Sequence, residues 1–457
     1  MRAREPQLAV RRSGPVELAA AGAPARVAVS SQGARLGLFG LLASALVIVL
    51  ASSHTRMLIP QSLRDVPQAL RPIPGFIAGV FGSVHLNIGL VGIIISMGLM
   101  FACYALALAS SSRISRRAVL ISIAALNLLA LLAPPIMSTD LFSYIAYGRL
   151  GATYGINPYF FGPNVIWFDP LYQFVGAQWT HTPTAYGPLF TALSYPLSEL
   201  GIAANVFAYK AIAAASCLVL VVLVWRAARL RGLDPVKAVA LVGLNPVVVV
   251  YGVGGGHNDL LMLAILVAGI YVLLRRREGA GGAMIVAATA VKLTAGVLLP
   301  FAVAAGAGRR LSSIGRSPIV VGAAVATALF GTLGAVMFGW GPVHLLATLS
   351  GIQAQGGLHS IPGFILTAVG LDRLTGPTDT VLHVLYAASL VWLVRRVWIG
   401  ELDWITASGW ATVGLLVTAG LLMPWYVAWL LPLAALSSDR RLRVSAIVLT
   451  SLGLTSL

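Results

Sequence analysis

Three places in this sequence put ionisable side chains where an apolar chain has reason to avoid them. Asp140 lies in "MSTDLFSYIAYG" (137–148), directly after the apolar run "LLALLAPPIM", and Ser143, Tyr144 and Tyr147 follow it. A carboxylate at such an exit is a candidate for catalysis. It is also a candidate N-cap, because "STD" precedes an amphipathic stretch suited to a membrane interface, and one role does not exclude the other. In "GGGHNDLLML" (254–263) three glycines let the backbone approach another group closely, and His257, Asn258 and Asp259 then offer three hydrogen-bonding side chains at the mouth of an apolar run. A polar turn between helices is the plainer alternative there. Lys292 in "TAVKLTAG" is costlier, since an ammonium within an apolar segment is stable only near an anion, carbonyls or water. A bound phosphate would supply that partner, and snorkelling to the interface is the other solution.

The aromatic and Pro-rich segment 154–188, with "YGINPYFFGP" and "WTHTPTAYGPLF", carries rings suited both to an interfacial belt and to stacking on sugars. His54, His85, His181, His257, His344 and His359 all fall on one expected side of the membrane, but none pair at i, i+4 or another ligand spacing, so no metal site is expected. Cys103 and Cys217 each sit inside an apolar run and read as packing residues rather than as a disulfide or metal ligands. No cofactor motif is present: the sequence has no Asp-x-Asp pair, Walker A loop, His-Glu-x-x-His or Gly-x-Ser-x-Gly. A donor already dissolved in the bilayer would need none of them.

The elements that must position these groups are membrane helices. Hydrophobic residues make up 58% of the chain and charged residues 10%, with a strongly positive mean hydropathy. That balance excludes a soluble domain of this length, and windows such as 37–53, 91–109 and 206–225 have the length, ~20 residues, that spans ~30 Å of hydrocarbon as helix. The net charge of +17 comes from short Arg and Lys clusters at 113–117, 226–237, 275–277, 309–316, 395–396 and 440–443, between the apolar runs. They read as cytoplasmic topology signals and not as a nucleic-acid surface. The segments 138–185 and 341–380 each carry a single basic residue, Arg149 and Arg373, and read as large outer loops. Asp65, Asp140, Asp169, Asp259, Asp372 and Asp379 fall on that outer side. Residues 1–34 read as a disordered cytoplasmic tail and 35–457 as one transmembrane domain.

Three stretches resist a simple count of crossings. Residues 186–201 and 204–225 look like two helices, yet two crossings would leave "RAARLRG" outside. Either the first is short and partly re-entrant or the charge rule fails there. Residues 282–307 are flanked by basic clusters but are too short for two full spans. A helical hairpin reaching partway across, bent near Lys292 and Thr294, reconciles length with charge. In 404–437, Pro424 and Pro432 interrupt what would otherwise be one long helix. Broken backbone at membrane depth is tolerated only against protein or a wet cavity, so both regions point toward a site. The expected fold is all-α and polytopic, with roughly 11–13 helices, some short or broken, and interfacial helices in the first large outer loop.

Taken together, "TDLFSYIAYGRLGATYGINPYFFGP", "TPTAYGPLF", "LNPVVVVYGVGGGHNDLLML" and "ATAVKLTAGVLLPF" resemble the polyprenol-phosphomannose-dependent α-1,6-mannopyranosyltransferases of mycobacteria and corynebacteria, of the GT-C class. The match runs in order from about residue 37 to "PWYVAW". The resemblance implies a multi-pass plasma-membrane enzyme acting on the outer, periplasmic face without a cofactor. It would transfer mannose, with inversion, from polyprenyl-phosphate-mannose to the α-1,6-mannan backbone of lipomannan and lipoarabinomannan. It implies Asp140 as the general base, and one base suffices because phosphate leaves without an acid. Lys292, Arg149 and His257 are then candidate cations for the departing phosphate. Asn258, Asp259 and His181 join them as polar neighbours, and Tyr144, Tyr159, Tyr186, Trp425 and Tyr426 as the lining of the sugar or prenyl groove. Donor, mannan acceptor and bilayer are the expected partners, and nucleic acid is not. Beyond its second span the sequence is shorter than a family member with a complete set of terminal helices. Two other readings stay open: a lipid flippase or transporter, for which broken helices, a buried Lys292 and Gly-rich bends also serve, and a GT-C enzyme for another sugar or acceptor. No internal repeat links the two halves, and long outer loops poor in basic residues fit an enzyme built on one face.

Overall fold

The computed structural model describes residues 31–64, 81, 84–306, 315, 317–354, 360–371 and 374–455, and among them the chain is helical without strands. Of the tail expected over 1–34, residues 1–30 lie outside the described residues, as do Asp65, His359, Asp372, Arg373 and most of the basic cluster 309–316, while 31–34 already belong to a helix. The chain runs back and forth between a face that carries the remaining basic loops, called here the basic face, and an opposite face that carries Asp140.

Helices α1 (Ser31–Ala51), α2 (Gly89–Ala109) and α3 (Arg116–Leu132) make the first three passes, with α2 and α3 meeting on the basic face at Ser111–Arg113. Ser115 caps α3 by accepting the Ala118 N–H, and Pro134 ends it by holding Ala133 in extended backbone (φ −68, ψ 155). Next come α4 (Asp140–Ala152), α5 (Pro188–Leu197) and α6 (Ile202–Leu230). Nine of the residues of α4 are buried, on all sides of the helix. It is therefore a packed helix rather than the expected amphipathic one lying on the interface.

The two helices that resisted a crossing count now have lengths. The 10 residues of α5 reach only about 15 Å, half a bilayer, and the 29 residues of α6 reach about 44 Å. Lys210, eight residues into α6, donates to the carbonyls of Ala133 and Pro134 at the far end of α3. The rest of α6, about 30 Å of it, then crosses to Arg226, Arg229 and Arg231 on the basic face. Meanwhile α5 packs along α4, so closely that a Cβ on Gly148 would lie 2.3 Å from the Ser194 carbonyl oxygen. The first helix is the short one, which leaves a single full crossing between the two and so removes the conflict in the count.

Three helical hairpins follow, each with its feet on the basic face. In the first, α7 (Pro235–Gly243) continues through a π-helical turn, Val248–Val253, and α8 (Asp259–Leu274) returns. Asp234 caps α7, and Asn245 secures the join by donating to Tyr104 and Thr450 and accepting the Val247 N–H. In the second, α9 (Glu278–Val291) stops at Lys292, whose backbone is extended (φ −149, ψ 125), and the chain returns through the 3-10 turn Leu293–Leu298 and α10 (Leu299–Gly306). This is the hairpin expected from the mismatch of length and charge. After α11 (Pro318–Phe338), α12 (Leu345–Ala354), α13 (Ile361–Ala368) and α14 (Thr375–Trp398), the third hairpin rises as α15 (Trp404–Thr418). It descends through the 3-10 turn Pro424–Trp429 and α16 (Leu431–Ala435). Pro424 and Pro432 do not kink a helix here. Each opens a short helical segment, where its missing N–H costs nothing.

The feet of the third hairpin are tied by Thr406 and Ser437 at 2.8 Å, and Asp403 pairs with Arg231 at 2.9 Å. A last helix, α17 (Arg440–Thr455), leaves the basic face again. Among the described residues five helices, α1, α2, α6, α11 and α14, are long and apolar enough to cross a bilayer, with shorter apolar helices between them. The protein is an all-α polytopic membrane protein whose three hairpin tips, at 254–258, Lys292 and 419–423, converge beside α4.

Candidate active site

Asp140 opens α4 without capping it. Thr139 holds the N-cap position (φ −98, ψ −5) with no side-chain cap bond, and the Asp140 N–H itself donates to Ser138 Oγ at 3.2 Å. The N-cap role expected for this carboxylate is therefore absent. Its side chain is 14% exposed and faces a cavity of about 100 Å³. The approach to Asp140 is fixed by backbone: the Ile136 N–H donates to Gly254 O at 3.1 Å and the Met137 N–H to Leu58 O at 2.9 Å. Met137 takes φ 58, a left-handed conformation that a side-chain-bearing residue adopts only when its surroundings impose it. Burial pushes the Asp140 carboxyl up to about 7, with the Lys292 charge acting in the opposite direction.

The breaks in the hairpins explain how charged groups reach this cavity. Because α9 ends at an extended residue, the Lys292 side chain leaves the helix axis and its Nζ lies 2.8 Å from Asp259 Oδ1. Trp429 Nε1 donates to the same oxygen at 2.5 Å. The ammonium also sits 4.9 Å from the centre of the Tyr426 ring and 5.3 Å from that of Trp429, within cation–π range. The anionic partner that Lys292 requires is thus Asp259, 33 residues earlier in the chain and only 1% exposed. Lys292 nonetheless lines the same cavity as Asp140.

Other expected site residues divide into those that line the cavity and those that support it. Tyr186, Trp425 and Tyr426 line it, as do Ser143 and Tyr147, which stand with Asp140 on one face of α4. His257 is fully buried behind Asp140, stacked on Trp425 with ring centres 3.9 Å apart, its Nδ1 3.6 Å from Asp140 Oδ2. Burial favours its neutral imidazole, so it backs the carboxylate instead of offering a phosphate a positive charge. Asn258 is buried and faces the Tyr144 hydroxyl at 3.5 Å. Tyr144 lies off the cavity, packed edge-on against Tyr186 and Phe190. Tyr159 donates to the Tyr186 carbonyl at 2.9 Å and so holds Tyr186 in place without reaching the cavity. His181 is exposed, and its neighbour Thr182 lines the cavity instead. Arg149, in the last turn of α4, is paired with Asp169 at 2.8 Å, whose carboxylate also accepts the Tyr154 hydroxyl at 2.6 Å. It is not brought to the cavity.

Sequence reading missed Trp429, Gln353 and Lys210. Trp429 had a signal, since it follows Trp425 and Tyr426 in "PWYVAW" at one helical turn. Gln353 comes from α12 and accepts the Leu421 N–H at 3.2 Å, which brings the second large loop to the cavity. Lys210 is a lysine inside an apolar span, the same kind of anomaly as Lys292, and it secures the segment that leads to Asp140. Among the described residues no three His, Cys, Asp or Glu side chains gather as metal ligands.

The arrangement therefore opposes a half-buried carboxylate to a held ammonium across one small aromatic-lined space, a proton acceptor and an anion stabiliser within reach of one substrate. Residues 37–308 match the family described as Alpha-(1->6)-mannopyranosyltransferase, N-terminal domain. The chain is 30% identical over 340 residues to Alpha-(1->6)-mannopyranosyltransferase A of Mycobacterium tuberculosis, covering 69% of this chain and 64% of that one. It is 33% identical over 177 residues to the protein of the same name from Corynebacterium glutamicum, covering 37% of this chain and 35% of that one. The chain thus spans less than two thirds of the length of these relatives. No solved structure matches it. The family match covers more than half of the sequence and includes Asp140, the 254–258 tip, Asp259 and Lys292, so the chain belongs to the α-(1→6)-mannopyranosyltransferase family.

Proposed function

We propose that this protein is a GT-C α-1,6-mannosyltransferase that takes mannose from polyprenyl-phosphate-mannose and extends an α-1,6-mannan acceptor of the lipomannan and lipoarabinomannan type. The observation that carries this reading is that Asp140 and Lys292 face one cavity from separate helical elements. The acceptor's primary hydroxyl sits against the Asp140 carboxylate. As its oxygen attacks the anomeric carbon from the side opposite the phosphate, its proton passes to Asp140. The bond from the anomeric carbon to the phosphate oxygen breaks with its electron pair on the phosphate, and the configuration inverts. A carboxyl poised near neutrality suits a base working at neutral pH.

The growing charge on the leaving phosphate is met by Lys292. An ammonium has three donors, and Asp259 takes one. Asp259 and Trp429 fix the ammonium in advance, so little reorganisation is needed as charge develops. The distribution of Arg and Lys supports a cytoplasmic basic face and, with it, a cavity on the periplasmic side of a multi-pass plasma-membrane protein, where a lipid-linked donor enters from the bilayer.

The test is incubation of membranes containing the full chain with polyprenyl-phosphate-mannose and short α-1,6-mannosides. Elongation by one mannose, abolished in Asp140→Asn while the variant remains inserted, is the expected result. Lipid movement across the membrane without sugar transfer would replace this reading with a flippase, and elongation only with another sugar donor would replace the substrate.

A further inference from the structure

A second cavity opens on the basic face, at the opposite end of the helices from Asp140. It holds about 460 Å³ between α2, α7, α16 and α17, a size in the ordinary range of ligand pockets. Its wall is apolar, with Leu108, Leu241 and Ile447 along it, and its rim carries Lys237, Arg440 and Arg443 against one acid, Asp234. That acid is already engaged, accepting the N–H groups of Val236 and Lys237 as the cap of α7. Arg443 donates through Nη1 to the Ser437 carbonyl at 2.7 Å, which fixes the guanidinium at the rim and leaves its other donors for a ligand. Lys237 and Arg440 form no ion pair among the described residues.

The depth of these groups matters as much as their charge. The cavity lies where α2 ends and where α7 and α17 begin, the level at which helix ends pass from hydrocarbon to headgroups. An apolar wall at that level suits an acyl chain, and a cationic rim beside it suits a phosphate. A free anion would use the rim and leave the apolar wall unfilled. A zwitterionic lipid would fill the wall and leave the surplus positive charge uncompensated.

We infer that this cavity binds an anionic phospholipid, with its headgroup phosphate on Lys237, Arg440 and Arg443 and an acyl chain along Leu108, Leu241 and Ile447. The site is separate from the transfer reaction and does not depend on the identity of the sugar.

The experiment uses the full chain in nanodiscs of phosphatidylcholine with increasing phosphatidylglycerol, followed by native mass spectrometry of the lipid retained by the protein. Wild-type protein should retain phosphatidylglycerol in preference to phosphatidylcholine. Lys237→Gln, Arg440→Gln and Arg443→Gln should each weaken that preference about fivefold. The three rim substitutions combined should abolish it, and a control carrying Arg116→Gln, Arg117→Gln and Arg229→Gln, which removes the same three charges from the same face, should keep it. Leu241→Trp should reduce retention of both lipids by filling the wall. Equal retention of the two lipids by wild-type protein would overturn the proposal without recourse to any variant. So would displacement of the retained lipid by inorganic phosphate alone, or an equal effect of the rim and control substitutions.

Discussion

Removing the Lys292 ammonium should separate what the buried ion pair does for stability from what it does for chemistry. In Lys292→Met the Asp259 carboxylate, 1% exposed, loses the ammonium and keeps the Trp429 indole N–H on Oδ1. Breaking a buried pair by deleting one member costs about 3–5 kcal/mol, because the remaining charge is left uncompensated. Adding Asp259→Asn removes that charge and keeps an acceptor for Trp429, so the double variant should lose only about 1–2 kcal/mol, the net worth of the hydrogen bonds given up. Adding Asp259→Asn to Lys292→Met should therefore recover about 2–3 kcal/mol, the difference between the cost of an uncompensated buried charge and that of the lost hydrogen bonds. Turnover should behave otherwise. Both variants lack the cation that meets the leaving phosphate, and loss of one such preorganised group costs on the order of 100- to 1,000-fold in rate. Denaturant unfolding in mixed micelles, followed by tryptophan fluorescence, reads the stability cycle, and mannoside elongation reads the rate. Recovery of turnover together with stability in the double variant would refute Lys292 as the phosphate cation. A Lys292→Met variant as stable as wild type would refute the pair itself.

Two further outcomes follow from the same site. Ionised Asp140 is the active form of the base and burial lifts its pKa to about 7, so kcat/KM should climb roughly tenfold per unit below about pH 6 and level off above about pH 8. The folded state then holds this proton at pH values where the unfolded chain has released it, so stability at this position falls as pH rises from about 4 to about 7. Asp140→Asn should remove that slope as well as the rate, and a flat wild-type rate profile across this window would contradict the assignment. The second outcome concerns glycine. A Cβ on Gly187 would lie 2.2 Å from the Ala290 carbonyl oxygen, and the Gly187 N–H already bonds Val291 O at 3.0 Å. Gly187→Ala should therefore cost about 1–3 kcal/mol and lower turnover by displacing Tyr186, whose ring centre lies 5.9 Å from the Lys292 ammonium. Gly98→Ala, exposed within α2 with nothing within 4 Å of the new methyl, should melt at or above the wild-type temperature in the same detergent.

Much of the fold was legible because charge and length are both conserved quantities along a membrane chain. Basic clusters on both sides of 282–307 left too few residues for two crossings, and that arithmetic forced a bend near Lys292. The same arithmetic narrowed α5 and α6 to two readings but could not choose, since a 10-residue helix followed by a 29-residue one looks like two spans in a hydropathy window. Asp140 stood out because the chain has only 14 acids. The partners of these residues were not legible. Asp259 and Lys292 lie on different hairpins, and Trp429 is 170 residues from the carboxylate it holds. Motif resemblance also says nothing of helix face: Asp140, Ser143 and Tyr147 look into the cavity, whereas Tyr144 and Arg149, in the same motif, point elsewhere and make a packing contact and an ion pair.

The three hairpins explain how such groups survive at this depth. A helix that stops short of the far boundary leaves unpaired backbone groups at its tip, and lipid cannot satisfy them. Here the tips are turned toward one another. Gly254 O at the first tip accepts the Ile136 N–H ahead of Asp140, and Val291 O beside the second accepts the Gly187 N–H. Leu421 N–H at the third donates to Gln353. Side chains complete the arrangement, with Asp259 from the first hairpin, Lys292 from the second and Trp429 from the third joined through one carboxylate oxygen. The ammonium is therefore affordable only where all three tips meet. Its position relative to Asp140 is a property of how the hairpins pack, so a substitution at a hairpin foot, such as Asp403→Asn between Arg231 and Thr406, acts on the site only to the extent that it lets a tip move.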